Sequence, residues 1–323
     1  MNYFKERAIK KALKGRSLLT LLNYTPEEIR YLLKLAQKLK TKSYSKKYCG
    51  YFKGMNLAML FEKRSTRTRC AFETAFSEEG GHPVFLSTSD IQLGVKESVS
   101  DTAKVLGRMF DAIEFRGFKQ STLETLAKES GVPVYNGLTD EFHPTQVLAD
   151  LMTIQEAFGD LESKKIVFVG DGRNNVATSL MIGCAKLGID FTVVAPKELF
   201  PNQKIVSESK TIAKDSGATI EITSKIESGV LNADVIYTDV WASMGEEKEA
   251  SNREKLLTPY QVNASLMEKT KKSSTIFLHC LPAIKGQEVT EEVFDSPQSW
   301  VFEEAENRKH TIKAIMVATL ARY

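Results

Sequence analysis

No apolar run in the sequence approaches the roughly 20 residues that a membrane-crossing helix needs, so no membrane span is expected. Cysteine is scarce: Cys49, Cys70, Cys184 and Cys280 are far apart and form no Cys-x-x-Cys pair. That spacing argues against a zinc site and a disulfide framework, and a reducing, cytoplasmic setting fits it best. A surplus of one charge is also lacking. Lys and Arg total 44 against 41 Asp and Glu, a net charge of +3, which gives no case for a nucleic-acid partner. No short repeat period is present, which argues against a solenoid. The basic N-terminus, residues 1–16, has helical spacing but no apolar core, and Glu6 interrupts its charge. It reads as a surface arm for subunit contacts rather than a secretory signal.

What is present is enough apolar material for two middling domains: 42% of 323 residues. Short apolar runs alternate with helical segments, which predicts βαβ units and mostly parallel sheets. The runs 55–61, 84–86, 111–117 and 132–138 form a first series of strands. A second series is 166–172, 191–195, 219–222, 235–238 and 274–278. Thr25-Pro26-Glu27-Glu28 predicts a helix start with a capping box. Lys38 to Lys47 reads as a solvated loop, and Gly80-Gly81-His82-Pro83 as a turn.

The chemistry concentrates where strands end. Ser65-Thr66-Arg67-Thr68 falls between the 55–61 strand and a helical stretch beginning near Cys70. Free backbone N–H groups and the helix dipole favour an anion there. The hydroxyls of Ser65, Thr66 and Thr68 add donors, and Arg67 adds a fork that matches a phosphate. Arg116 ends the 111–117 strand and faces the crevice where open α/β sheets bind ligands. His143 and Gln146 flank another helix start at Pro144. Asp239 follows the 235–238 strand and can pair with an ammonium, while Ser243 and nearby backbone can bind a carboxylate. Cys280 follows the 274–278 strand. Gly170-Asp171-Gly172 opens like a dinucleotide fingerprint, but Asn175 stands where its third glycine belongs. A nicotinamide-dependent dehydrogenase is therefore only the runner-up.

Ser65-Thr66-Arg67-Thr68-Arg69 resembles the carbamoyl phosphate signature of the transcarbamylases, and His143-Pro144-Thr145-Gln146 is identical to a second motif of that family. Gln92-Leu93-Gly94, Asp239 to Gly245 with its Ser243-Met244-Gly245, and His279-Cys280-Leu281-Pro282 resemble the ornithine branch. The resemblance covers nearly the whole chain. It implies two α/β domains, each a parallel sheet flanked by helices: 1–149 for carbamoyl phosphate and 150–299 for ornithine. The last segment, 300–323, would return to the first domain.

The same resemblance assigns residues. Ser65, Thr66, Arg67, Thr68, Arg116 and Arg308 would hold carbamoyl phosphate, with Gln92 reaching in from a neighbouring subunit. Glu97 would pair with Arg67. His143 would donate to the carbamoyl oxygen. Gln146 and the carbonyls of Cys280 and Leu281 would hold the carbamoyl nitrogen. Asn175, Asp239, Ser243 and Met244 would bind ornithine, with Asn174 and His279 structural. The implied reaction carbamoylates the δ-amino group of L-ornithine, giving L-citrulline and phosphate, in arginine biosynthesis or breakdown. It needs neither metal nor organic cofactor. The implied assembly is a trimer or a multiple of trimers with shared sites. Transfer to another amine such as putrescine is the alternative within the family.

Overall fold

The computed structural model describes residues 3–89, 91, 97–242 and 250–321. The chain divides into two compact units, Met1–Met152 with Glu306–Tyr323, and Thr153–Ala305.

In the first unit the order is α1 (Tyr3–Leu13), α2 (Pro26–Tyr44), β1 (Asn56–Phe61), α3 (Arg67–Glu78), β2 (His82–Ser87) and α4 (Val99–Met109). β3 (Ala112–Arg116), α5 (Gln120–Glu129), β4 (Val134–Leu138) and α6 (Pro144–Phe158) follow. The four strands are parallel in the order β2-β1-β3-β4. Successive side chains along a strand face opposite sides of the sheet. In β3, Ile113 and Phe115 join an apolar cluster with Ala103 and Leu106 of α4 and Leu123 and Leu126 of α5. Glu114 and Arg116 therefore face the other side, toward α3. Sheet order reverses between β1 and β3, so the loop after β1 and the end of β3 flank a topological switch point. Ligands bind at such points in open α/β sheets.

The second unit repeats the design. β5 (Lys165–Val169), α7 (Asn175–Leu187), β6 (Asp190–Val194), α8 (Gln203–Ser216), β7 (Ile220–Thr223), α9 (Ile226–Val230) and β8 (Val235–Thr238) come first. Then follow α10 (Ala250–Leu257), α11 (Ala264–Lys269), β9 (Ile276–His279) and α12 (Glu291–Phe294), while α13 (Val301–Leu320) begins here and belongs to the first unit from Glu306 on. The strands are again parallel, in the order β7-β6-β5-β8-β9. Here the reversal lies between β5 and β8. The two-domain α/β class expected from the sequence is what the chain adopts. Among the described residues, no helix is long and apolar enough to cross a membrane.

The capping box expected at Thr25 is complete: Glu28 N–H donates to Thr25 Oγ1 at 3.2 Å, and Thr25 N–H to Glu28 Oε2 at 2.9 Å. Two local expectations fail. The stretch Lys38–Tyr44 is the end of α2, not a loop, because Leu39 and Ser43 are buried and lysine is a good helix former. His82 and Pro83 already belong to β2. Proline is tolerated there because β2 is an edge strand, where a missing N–H can face outward.

Gly107 of α4 is a close-approach glycine: a Cβ there would fall 1.8 Å from the Ser130 carbonyl oxygen. Gly107→Ala must push α4 away from the end of α5. We expect a loss of about 1–3 kcal/mol, the usual range for overpacking, read as a lower urea midpoint. An unchanged midpoint would mean that this contact relaxes freely.

Candidate active site

In the first unit, the chain leaves β1 and re-enters helix at Arg67. Thr66 makes no side-chain cap. Ser65 supplies it instead, its Oγ accepting from Thr68 N–H at 3.1 Å. Arg67 is thus the first residue of α3 and half-buried, and Thr68 is buried one position on. Thr68 Oγ1 accepts from Arg116 Nη1 at 3.3 Å and from Arg308 Nη2 at 3.1 Å. A hydroxyl has two lone pairs and one proton. Both lone pairs are used, which leaves the Thr68 proton as the donor to offer.

Arg308 arrives on α13 and is almost fully buried. Its Nη1 donates to Gln146 Oε1 at 2.6 Å, and Gln146 Nε2 donates to Asp150 Oδ1 at 2.8 Å. Arg308 Nη2 also reaches Thr145 Oγ1 at 3.4 Å, the same distance that separates that hydroxyl from His143 Nδ1. Thr68, Arg116, His143, Thr145, Gln146 and Arg308 thus form one buried group. Burial, and then Arg308, Arg116 and Arg67 in that order, hold the His143 imidazole well below its ordinary pKa. At neutral pH it is uncharged and keeps one N–H to donate.

Glu114 was not among the residues singled out from the sequence. It is completely buried on the Thr68 face, and neither carboxyl oxygen has a hydrogen-bond partner among the described residues. A Cβ at Gly137 would fall 1.9 Å from Glu114 Oε1 and 3.1 Å from Thr68 Cγ2, so the carboxyl lies directly over bare β4 backbone. Burial pushes its pKa well above the usual carboxylate range, against the pull of Arg116 and Arg308.

In the second unit the polar groups again follow strand ends. Asn174 caps α7, accepting from Val176 N–H at 2.7 Å, and its Nδ2 donates to Asp239 Oδ2 at 2.8 Å. Asp239 Oδ1 accepts from Val240 N–H at 2.8 Å and from the Cys280 thiol at 3.1 Å. Asn175 is the first residue of α7 and half-buried. Groups that follow β5, β8 and β9 therefore converge on one carboxylate.

Beneath them His279 is completely buried. Its Nε2 pairs with Glu288 Oε1 at 3.1 Å, and its Nδ1 accepts from Leu281 N–H at 2.9 Å. That bond helps hold Leu281 at a left-handed φ of +59°. Asp239, His279 and Cys280 each offer a ligand atom within 4.8 Å of the others, as a metal site would require. However, both His279 nitrogens are already engaged, so metal binding would have to break the support of Leu281.

Glu97 accepts from Thr102 Oγ1 at 2.8 Å within its own chain. Gln92, Ser243 and Met244 lie outside the described residues. Glu288, which buttresses His279, and Arg253, which ties Trp241 to Asp171, were not singled out from the sequence.

The comparisons decide the family. Residues 16–156 match the carbamoyl-P binding domain of aspartate/ornithine carbamoyltransferases, and residues 162–319 match their Asp/Orn binding domain. The chain belongs to the aspartate/ornithine carbamoyltransferase family. It is 65% identical over 308 residues to the ornithine carbamoyltransferase of Caldanaerobacter subterraneus subsp. tengcongensis, covering 95% of this chain and 98% of that protein. It is 55% identical over 325 residues to a catabolic ornithine carbamoyltransferase of Bacillus licheniformis, covering 95% and 97%. The solved ornithine carbamoyltransferase of Pyrococcus furiosus superimposes with a TM-score of 0.91 at 46% identity, covering 95% of this chain and 98% of that one. Membership in a carbamoyltransferase family leaves the dehydrogenase reading unsupported.

Glu114 yields a prediction with a definite sign. The unfolded carboxyl ionises above about pH 4.3, whereas burial in the fold raises its pKa well above that. Its contribution to stability is full below that pH and is lost as pH rises toward the folded value. Glu114→Gln, which cannot ionise, should therefore gain on the wild type in urea midpoint as pH goes from 5 to 8. An equal difference at both pH values would mean that Glu114 is ionised in the fold.

Proposed function

We propose that this carbamoyltransferase transfers the carbamoyl group of carbamoyl phosphate to the δ-amino group of L-ornithine, giving L-citrulline and phosphate. The observation that carries the reading is the convergence of Arg116 and Arg308 on Thr68 at the start of α3. Two guanidinium groups held out of water around a helix N-terminus need an anion. The names of the relatives above supply the acceptor.

In this reading Ser65, Thr66, Arg67 and Thr68 hold the phosphate, with Arg116 and Arg308. The neutral amine attacks the carbamoyl carbon, and negative charge builds on the carbamoyl oxygen. Arg116, the Thr68 hydroxyl and neutral His143 donate to that oxygen, and phosphate leaves with the electron pair of the broken C–O bond and takes the proton that the attacking nitrogen loses. Gln146 and the carbonyls of Cys280 and Leu281 accept from the carbamoyl nitrogen. Asp239 pairs with the α-ammonium of ornithine, Asn175 contacts its α-amino-acid group, and Ser243 and Met244 complete that pocket. Cys280 forms no covalent intermediate. Its thiol donates to Asp239, which supports a role beside the acceptor. No metal or organic cofactor enters this mechanism.

Citrulline formation should exceed carbamoylation of putrescine or aspartate in parallel assays. Arg116→Ala should lower kcat by roughly 100-fold or more, the scale of one lost oxyanion donor. A loss below about threefold in a folded protein would remove Arg116 from the chemistry.

We extend the reading to a cytoplasmic homotrimer, or a multiple of it, in which Gln92 of one subunit serves a neighbour's site. Inactive Gln92→Ala and Cys280→Ala proteins, mixed and reassembled, should then regain partial activity. Proven subunit exchange without recovery would rule out shared sites.

A further inference from the structure

Arg253 belongs to α10, and its guanidinium is almost entirely buried. Its Nη1 lies 3.3 Å from Asp171 Oδ2 and 3.4 Å from the Trp241 carbonyl oxygen. Asp171 sits in the turn after β5, just before Asn174 and Asn175. Trp241 follows Asp239 at the end of β8. One buried cation therefore ties together the two main-chain segments that present Asn175 and Asp239.

Asp171 is itself fully engaged. Its Oδ1 accepts from Arg173 N–H at 3.0 Å and from Arg173 Nε at 3.1 Å, and its Oδ2 accepts from Arg173 Nη2 at 3.0 Å. Arg173 is partly exposed, so it can balance the Asp171 charge from the solvent side. Charge balance at Asp171 does not require Arg253. A buried ion pair seldom adds net stability over apolar packing, because both partners lose their hydration. What Arg253 adds is geometric. Asn174 and Asp239 are joined by side chains alone, and Arg253 adds a link to the backbone at Trp241.

We propose that Arg253 is a positioning residue for the amino-acid acceptor. By clamping Asp171 to the Trp241 carbonyl, it fixes the spacing between Asn175 and Asp239 and so sets affinity for the α-amino-acid end of the acceptor. Asp171 and Trp241, which Arg253 joins, are not among the residues proposed to hold the donor, so changing the clamp is expected to leave donor affinity unchanged. The inference rests on reading the second unit as the acceptor-binding unit.

The test is a comparison of KM values. Arg253→Met should raise the KM for ornithine about 10–100-fold, the scale of a misplaced binding group. The KM for carbamoyl phosphate should stay within about twofold. Arg253→Lys keeps the charge but loses the planar fork, and should recover only part of the ornithine affinity. Asp171→Asn weakens the clamp from its other end and should give the same split. Trp241 supplies a reading that needs no catalysis. In a Trp300→Phe background it is the only tryptophan, and Arg253→Met should make it more accessible to acrylamide.

Equal changes in both KM values, or a lower kcat with unchanged ornithine KM, in Arg253→Met and Asp171→Asn alike would overturn the proposal. If the wild type makes no citrulline, the acceptor reading itself fails. Unchanged Trp241 quenching in Arg253→Met would then overturn the clamp on its own.

Discussion

The first unit depends on two guanidinium groups that are kept from water around one threonine hydroxyl. Arg116 comes from the end of β3 and Arg308 from α13, and both donate to Thr68 Oγ1. Buried charge of one sign is costly unless something offsets it. Glu114 is a poor offset, because burial raises its pKa and so opposes its charged form, against the pull of Arg116 and Arg308. His143 stays neutral for the complementary reason, since burial and three arginines all oppose its charging. The cationic donors of the unit are thus gathered where α3 begins.

This constraint also explains the course of the chain. The sheet of the first unit is complete at β4, yet the last helix of the chain belongs to it. There Arg308 bonds Gln146, Thr68 and Thr145. Gln146 is in turn oriented by Asp150, one turn further along α6. The site is therefore built from strand ends and helix starts that are far apart in sequence, with rigid elements behind each group.

Much of this was legible without the structure. Apolar runs marked all nine strands, and Thr25, Pro26 and Glu28 fixed the start of α2. Ser65 to Thr68 could be singled out because hydroxyls and a basic residue at a helix start suit an anion, Arg116 because it ends a strand beside that loop, and His143 only because its motif matches a family one. The failures have physical causes. Lys38 to Tyr44 looked solvated because lysines outnumber the residue that anchors the turn, Leu39. His82 and Pro83 looked like a turn because proline is usually excluded from sheets, and nothing in the sequence marked β2 as an edge. Glu114 was invisible because a glutamate inside a strand ordinarily alternates outward to solvent, and here that face is covered. Arg253 was missed because charge pairing with a distant segment leaves no local pattern.

The two units use one architectural device with opposite electrical results. Each gathers side chains from its switch point onto a single oxygen-bearing group. In the first unit that group is a neutral hydroxyl, and its donors are cations. Cationic donors around a neutral hydroxyl favour an anion. In the second unit the group is the Asp239 carboxylate. Its partners among the described residues are an amide, a backbone N–H and a thiol, all uncharged. They orient the carboxylate without neutralising it, so its charge remains available to an ammonium. Exchanging the two hubs would spoil both sites: a carboxylate at position 68 would neutralise the guanidinium groups, and a hydroxyl at position 239 would leave an ammonium without a counter-charge. The choice between an anionic and a cationic ligand thus reduces in each unit to the charge of one buried side chain and of the donors that surround it.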